Sequence, residues 1–250
     1  MSTGGLYHPD GSLMLSHFIK PAYLISLLCH RAFCLTRQDI QSDPADGILP
    51  QGCFDQPHLG ALELSLGLSP AFLKSQAQAV AGLRERTFVM CWTCDTAGHM
   101  RDTYGEHGAR CELRTSELQL KRMLGYEWFP GAEFPPKPRA IPEIPGGRAT
   151  AELKEPVYTD GTMAIPVVPS AGATAHKLAK FASEAELRIE AIVGPDGVPV
   201  SPEQDKITWS LAATTGMDII IGSQVSEPEA AEIERLANAL GMPVQRALAV

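Results

Sequence analysis

No cysteine follows Cys111, and the six that occur (Cys29, Cys34, Cys53, Cys91, Cys94, Cys111) are sparse for a chain of 250 residues. A disulfide framework is the mark of smaller, cysteine-dense secreted domains, so reduced thiols are expected. A basic excess is also missing. The formal net charge of −8 gives no broad positive field for a phosphate backbone, and nucleic acid is not the expected partner. Long apolar runs are absent near the N-terminus: residues 21–29 are soon interrupted by His30 and Arg31, too short a stretch to span a bilayer. That stretch also lies too far in, and lacks the basic leader and small-residue cleavage site, to serve as a secretory signal. The expectation is a cytoplasmic protein that crosses no membrane. With 44% hydrophobic residues, the chain can bury one large core or two small ones.

What is present divides the chain. Residues 60–67 and 69–84 read as helices, the second opening with Ser69 as N-cap and Pro70 at the first helical position. Residues 87–93 (TFVMCWT) are aromatic and β-branched and read as a strand. Six prolines between Phe129 and Gly147 exclude a long helix or a central strand there, leaving a linker; a proline-rich ligand for an SH3-like partner is the alternative. The domain organisation expected is an N-terminal α+β unit over 1–128, a linker with a last strand of that unit over 129–160, and a C-terminal unit over 161–250.

In the C-terminal unit, 163–169 reads as a strand and 173–185 as a helix in which Leu178, Phe181, Ala182 and Ala185 share a face. Strands follow at 187–193 and 198–201, a short helix at 207–213, and a strand at 218–222. Ser226, with Glu229 three residues on, forms a capping box for a last helix with the stripe Ile233, Leu236, Ala237 and Leu240, ended by Gly241. The fold class read from this is α/β in the α+β sense, with a C-terminal order β-α-β-β-α-β-α.

That order over about 80 residues resembles HPr, the histidine phosphocarrier of bacterial sugar phosphotransfer. AGATAHKLAKFASEA is similar to the family pattern NGLHTRPAAQFVKEA at Gly172, Ala179, Phe181, Glu184 and Ala185. The resemblance implies an open-faced β-sandwich and a site at the start of its first helix. At that site, Thr174 stands where the family has its phospho-accepting histidine, His176 replaces the arginine and Lys177 the proline. Threonine lacks a comparable nucleophilic lone pair at neutral pH, so the usual relay is not expected. A phosphotransferase component using His176 or Thr174 stays open as an alternative. Asp205 falls near the family's regulatory serine, either as a fixed negative charge or as an N-cap. Trp209 is a candidate docking aromatic or a core residue. The module implies a protein partner.

Two N-terminal stretches, HFIKPAYLISLLCHRAFCLTRQDIQSDPADG and FVMCWTCDTAGHMRDTYGEHGARCEL, are similar to an uncharacterised family of bacterial domains of unknown function. A strand histidine (His17) with a later Tyr104-Gly105 pair also resembles the ADP-ribosyltransferase fold. That resemblance implies NAD as cofactor, with His17 on the nicotinamide ribose, Tyr104 against the nicotinamide, and Glu106 or Glu112 stabilising an oxocarbenium-like transition state.

A zinc reading competes. Cys91, Cys94 and His99 have the first three positions of a zinc knuckle, but Tyr104 stands at the fourth, so Cys111 or His107 would have to fold back. Asp39, Asp43 and Asp46 form a further acidic cluster, a cation site or a solvated loop. The sequence reading is therefore a bacterial regulatory or effector protein. An NAD-dependent transferase, acting as a toxin or in phage defence, is its rival.

Overall fold

The computed structural model describes residues 12–40, 67, 69, 71, 72, 75, 82–94, 105, 109–123, 149–155, 157–159, 176–178, 182, 185–193, 205–211 and 216–248. It is a mixed α/β structure built on one open, mostly antiparallel sheet. The chain opens with β1 (Met14–Ile19), helix α1 (Pro21–His30) and β2 (Ala32–Arg37), followed by a 3-10 turn at Gln38–Ile40. Strand β3 (Thr87–Thr93) coincides with the expected strand, and β4 (Cys111–Ser116) leads into α2 (Glu117–Met123). Then come β5 (Ala149–Lys154), β6 (Val157–Thr159), β7 (His176–Leu178), β8 (Glu186–Val193), β9 (Lys206–Ser210) and β10 (Met217–Ile221). Helix α3 (Glu227–Ala239) and β11 (Val244–Arg246) close the described chain. Neither α1 nor any other described helix is long and apolar enough to cross a membrane.

Strand β3 organises the sheet. Along one edge it pairs with β8 over its whole length, from Thr87↔Ile192 to Thr93↔Glu186, and β8 pairs in turn with β5. Its other edge is shared: β2 takes one end, at Thr36↔Val89 and Arg37↔Phe88, and β1 takes the other, at Ser16↔Thr93. From there two branches run outward, β1-β4-β10-β11 and β2-β9. The sheet is forked, and α1 connects β1 to β2, the first strands of the two branches.

Period-2 alternation decides which face is apolar. Leu15, Phe33, Leu35, Phe88, Trp92, Leu113, Ile189, Ile207 and Ile219 are buried in one cluster with Leu24 and Leu28 of α1 and Ile233 and Ala237 of α3. Each such aliphatic or aromatic side chain contributes roughly 1.5–3 kcal/mol of transfer free energy. Helix α3 begins as its sequence dictates, although Ser226 Oγ donates to the Glu229 carboxylate itself rather than capping a backbone N–H. It ends in a Schellman arrangement: Gly241 adopts φ +68, and the Gly241 and Met242 N–H groups donate to Asn238 and Ala237.

Three expectations are corrected here. Residues expected to open a helix at 207–213 form strand β9, hydrogen-bonded to β2 from Ala32↔Ser210 to Thr36↔Lys206. Ile207 and Trp209 are buried while Lys206 and Thr208 are exposed, the alternation of a half-buried strand. Within the expected helix 173–185, residues 176–178 form β7, paired in parallel with β6. The expected boundary at 161 does not divide the sheet: β8, β9 and β10 pair with β3, β2 and β4. Side chains from Leu15 to Met242 share one core. The described strands thus do not form a separate HPr-like sandwich. The expected strands 163–169 and 198–201, and residues 60–66 of the expected helix 60–67, lie outside the described residues.

Candidate functional site

A cavity of about 260 Å³ opens at the fork, with His17, Lys20, Tyr23, Cys34, Arg110 and Lys206 in its wall. Its existence follows from the ladder. Between the two registers on the shared edge lie Met90, Cys91 and Trp92, to which neither β1 nor β2 supplies a strand partner. A buried carbonyl there must find another donor. His17 provides it, with Nδ1 2.7 Å from the Cys91 oxygen. A carbonyl only accepts, so Nδ1 carries the proton.

The ring is neutral. Burial lowers its pKa to about 4, the Cys91 hydrogen bond opposes that shift, and the charge of Arg110 adds to it. A neutral imidazole protonated on Nδ1 keeps its lone pair on Nε2, and this is the acceptor His17 offers to the cavity. The ring is further held against Trp92, at 5.4 Å between centroids, and Trp92 meets Phe33 edge-on at 5.9 Å. The buried Trp92 indole N–H makes no hydrogen bond among the described residues.

The charged residues of the described wall are Lys20, Arg110 and Lys206, set among uncharged ones such as Phe18, Leu27, Thr36 and Val89. Lys206 extends from β9 so that its ammonium lies 4.7 Å from the centre of the Tyr23 ring, and Tyr23 is 55% exposed at the mouth. Lys20 occupies the N-cap of α1, whose first turn carries no acidic residue. No Asp or Glu among the described residues lines the cavity. Burial raises the pKa of the Cys34 thiol, with Lys206 opposing, so the cavity presents a thiol and not a thiolate.

The face of the sheet that carries Cys34, Cys91 and Lys206 holds a second polar group. On β8, Glu186, Arg188 and Glu190 alternate with Leu187, Ile189 and Ala191, and all three charged residues are buried. Arg188 donates through Nε to Glu186, and Lys177 of β7 reaches the same carboxylate at 2.7 Å. Burial pushes the Glu186 carboxyl up, but Arg188, Lys177 and the Cys91 thiol together hold it below its usual range. The Lys177 contact ties the β6–β7 ribbon to the main sheet.

Comparison with protein-family models, curated proteins and solved structures gives no match.

The sequence candidates fall unevenly on this geometry. His17 is at the centre of the fork. Glu112 is not: it stands opposite Phe18 in the β1–β4 ladder, whereas His17 stands opposite Leu113, so the two side chains leave opposite faces. Glu112 instead accepts from Ser16 Oγ at 2.7 Å and from Arg114 Nε at 2.7 Å. Tyr104, Glu106, His99, Thr174, Asp43 and Asp46 lie outside the described residues. His176 lies on β7 rather than in a helix, so no helix N-terminus is built at that position.

Lys177 is spent on Glu186, and Asp205 precedes a strand, with its carbonyl accepting from the Arg37 N–H at 2.8 Å. Trp209 is buried in the core and offers no docking surface. Asp39 pairs with Arg37 at 2.7 Å. Among the described residues no three His, Cys, Asp or Glu side chains are placed to hold a metal. Cys94 follows the end of β3 and Cys111 opens β4; burial, with Glu155 and Glu117 for Cys94 and Glu229 for Cys111, pushes each thiol up to about 11. Both are poor thiolate ligands in this state.

Sequence reasoning missed Lys20, Tyr23, Arg110 and Lys206, which come from three separate segments and share no motif. It also missed the charged row of β8, for which a signal existed. Three charged residues at period 2 inside an otherwise apolar strand, ELRIEAIV, mark a face that buries polar groups.

Proposed function

We propose that this chain is a regulatory or effector protein that acts through a small-molecule site in the fork, with an NAD-type nucleotide as its ligand. The observation that carries the reading is the state of His17: an uncharged ring, fixed by its hydrogen bond to Cys91, at the wall of a cavity and with an acceptor nitrogen to spare. A ligand hydroxyl or amide N–H is the natural complement of that nitrogen. The exposed Tyr23 ring at the mouth suits a flat heterocycle.

The proposal is for binding first. Group transfer through an oxocarbenium-like state calls for a carboxylate near the reacting carbon, and Glu112 is turned to the other face. A partner docked through an HPr-like module has less support, because the stretches that would form its two site helices contain strands β7 and β9.

Isothermal titration of the full chain with NAD tests the reading, alongside the His17→Asn variant and a histidine-detected NMR titration of the wild type. Saturable binding that perturbs the His17 ring resonances and weakens in the variant is the expected result. Absence of saturation at millimolar NAD, or binding that leaves the His17 resonances unmoved, would remove the proposal.

A further inference from the structure

We infer that the fork cavity contains a phosphoryl-binding subsite formed by Lys20, Lys206 and Arg110. The inference rests on the reading of the fork as a ligand site and names the chemistry of the group it takes.

Three cations line the cavity and no described carboxylate does, in a chain whose formal net charge is −8. Acidic residues outnumber basic ones 29 to 21, so a wall whose described charges are all positive runs against the average of the chain. Elsewhere among the described residues Arg37 pairs with Asp39, Arg114 with Glu112, and Arg246 with Glu227 and Glu234. Lys206 is treated differently. Its ammonium rests over the Tyr23 ring, and neither Lys206 nor Lys20 forms an ion pair among the described residues. A cation held on an aromatic face keeps its N–H donors available to an incoming oxyanion.

Two further features point the same way. Lys20 begins α1, where backbone N–H groups and the helix dipole favour negative charge, and the first turn holds no acid to compete. His17 adds no negative charge to the wall, and its Nε2 acceptor suits a hydroxyl of the attached sugar rather than a phosphate oxygen. The volume separates candidate ligands. At about 260 Å³ the cavity falls below the roughly 300–1,000 Å³ of pockets that enclose drug-sized molecules. It suits a diphosphate with the sugar attached to it, leaving the remainder of a dinucleotide at the mouth beside Tyr23.

The test is titration of the full chain at low ionic strength with sodium pyrophosphate, ADP-ribose and the phosphate-free nicotinamide riboside. Pyrophosphate and ADP-ribose are expected to bind, and the riboside is not. In a Lys20→Gln/Lys206→Gln double variant, affinity for both phosphates should fall by about tenfold or more, since charge-assisted hydrogen bonds are lost. Both lysines are exposed, so unchanged thermal unfolding is expected to show that the variant folds. Lys121→Gln removes the same charge from α2 and should leave affinity unchanged. No saturation with pyrophosphate, equal losses in the Lys121 control, or full affinity in the double variant would each overturn the subsite. Pyrophosphate binding that follows the lysines while NAD fails would keep the subsite and dismiss the NAD reading. NAD binding indifferent to both lysines would do the reverse.

Discussion

His17 and Cys91 are joined across the fork: the imidazole Nδ1 lies 2.7 Å from the Cys91 carbonyl oxygen, in the place where a neighbouring strand would otherwise pair. One side chain from β1 thus completes the edge of β3 just where β1 and β2 diverge. The same bond fixes the tautomer that leaves Nε2 to the cavity. Structure and candidate chemistry therefore meet in a single ring.

The neutrality of that ring makes stability depend on pH. The folded-state pKa of about 4 lies below the ordinary 6.5, so between these values the unfolded chain binds more protons than the folded one. Stability is present above the ordinary value and is lost as pH falls from 6.5 toward 4, at up to about 1.4 kcal/mol per pH unit. Arg110, Lys20, Lys206, Cys34 and Cys91 line the same cavity as the ring. Urea denaturation at several pH values should show the wild type losing more stability on acidification than His17→Gln. Parallel curves would place the His17 pKa near its ordinary value.

The buried row on β8 predicts a different asymmetry. Replacing one partner leaves the other charged and buried, which typically costs about 3–5 kcal/mol, whereas apolar replacement of the whole group costs far less. Lys177→Met should therefore destabilise, by less than a wholly unpaired charge would, since Glu186 loses a 2.7 Å partner in a site shielded from water but keeps Arg188. The Lys177→Met/Glu186→Gln pair should lose less than the sum of the single changes in chemical denaturation. Strict additivity would show the contact to be energetically idle.

Much of the scaffold was legible in the sequence and the fork was not. Strand β8 alternates apolar and polar residues strongly enough to read directly, β3 is rich in aromatic and β-branched residues, and the Ser226–Glu229 and Gly241 signals bound α3. Strand β9 escaped because KITWS is five residues long, and its conformation is set by a ladder to Ala32–Thr36, far away in the chain. The separation of two domains at 161 failed for a related reason. Pairing between β8 and β3, or β10 and β4, is a long-range choice that local periodicity does not record. His17 was singled out by residue type, while Lys20, Lys206 and Arg110 acquire meaning only once the fork brings them together.

Trp209 tests the corrected strand. Buried at 5% exposure on β9, it belongs to the core, and Trp209→Ala should cost about 3–5 kcal/mol in urea denaturation. A docking aromatic on an exposed helix face would cost within about 0.5 kcal/mol. Thr208→Ala, one residue away on the exposed side of the same strand, should show that small value. Similar losses at both positions would contradict the alternation that defines β9.

Gly241 gives a prediction free of packing. A Cβ added there meets nothing within 4 Å, so any effect of Gly241→Ala comes from the backbone alone. At φ +68 an L side chain is strained, and the expected loss is about 1 kcal/mol. Asn tolerates the left-handed region better, so Gly241→Asn should lose less than Gly241→Ala. The order glycine, asparagine, alanine in thermal unfolding would follow from the Schellman geometry that ends α3 and turns the chain into β11. Equal stability of all three would mean that the helix end relaxes out of that geometry without cost.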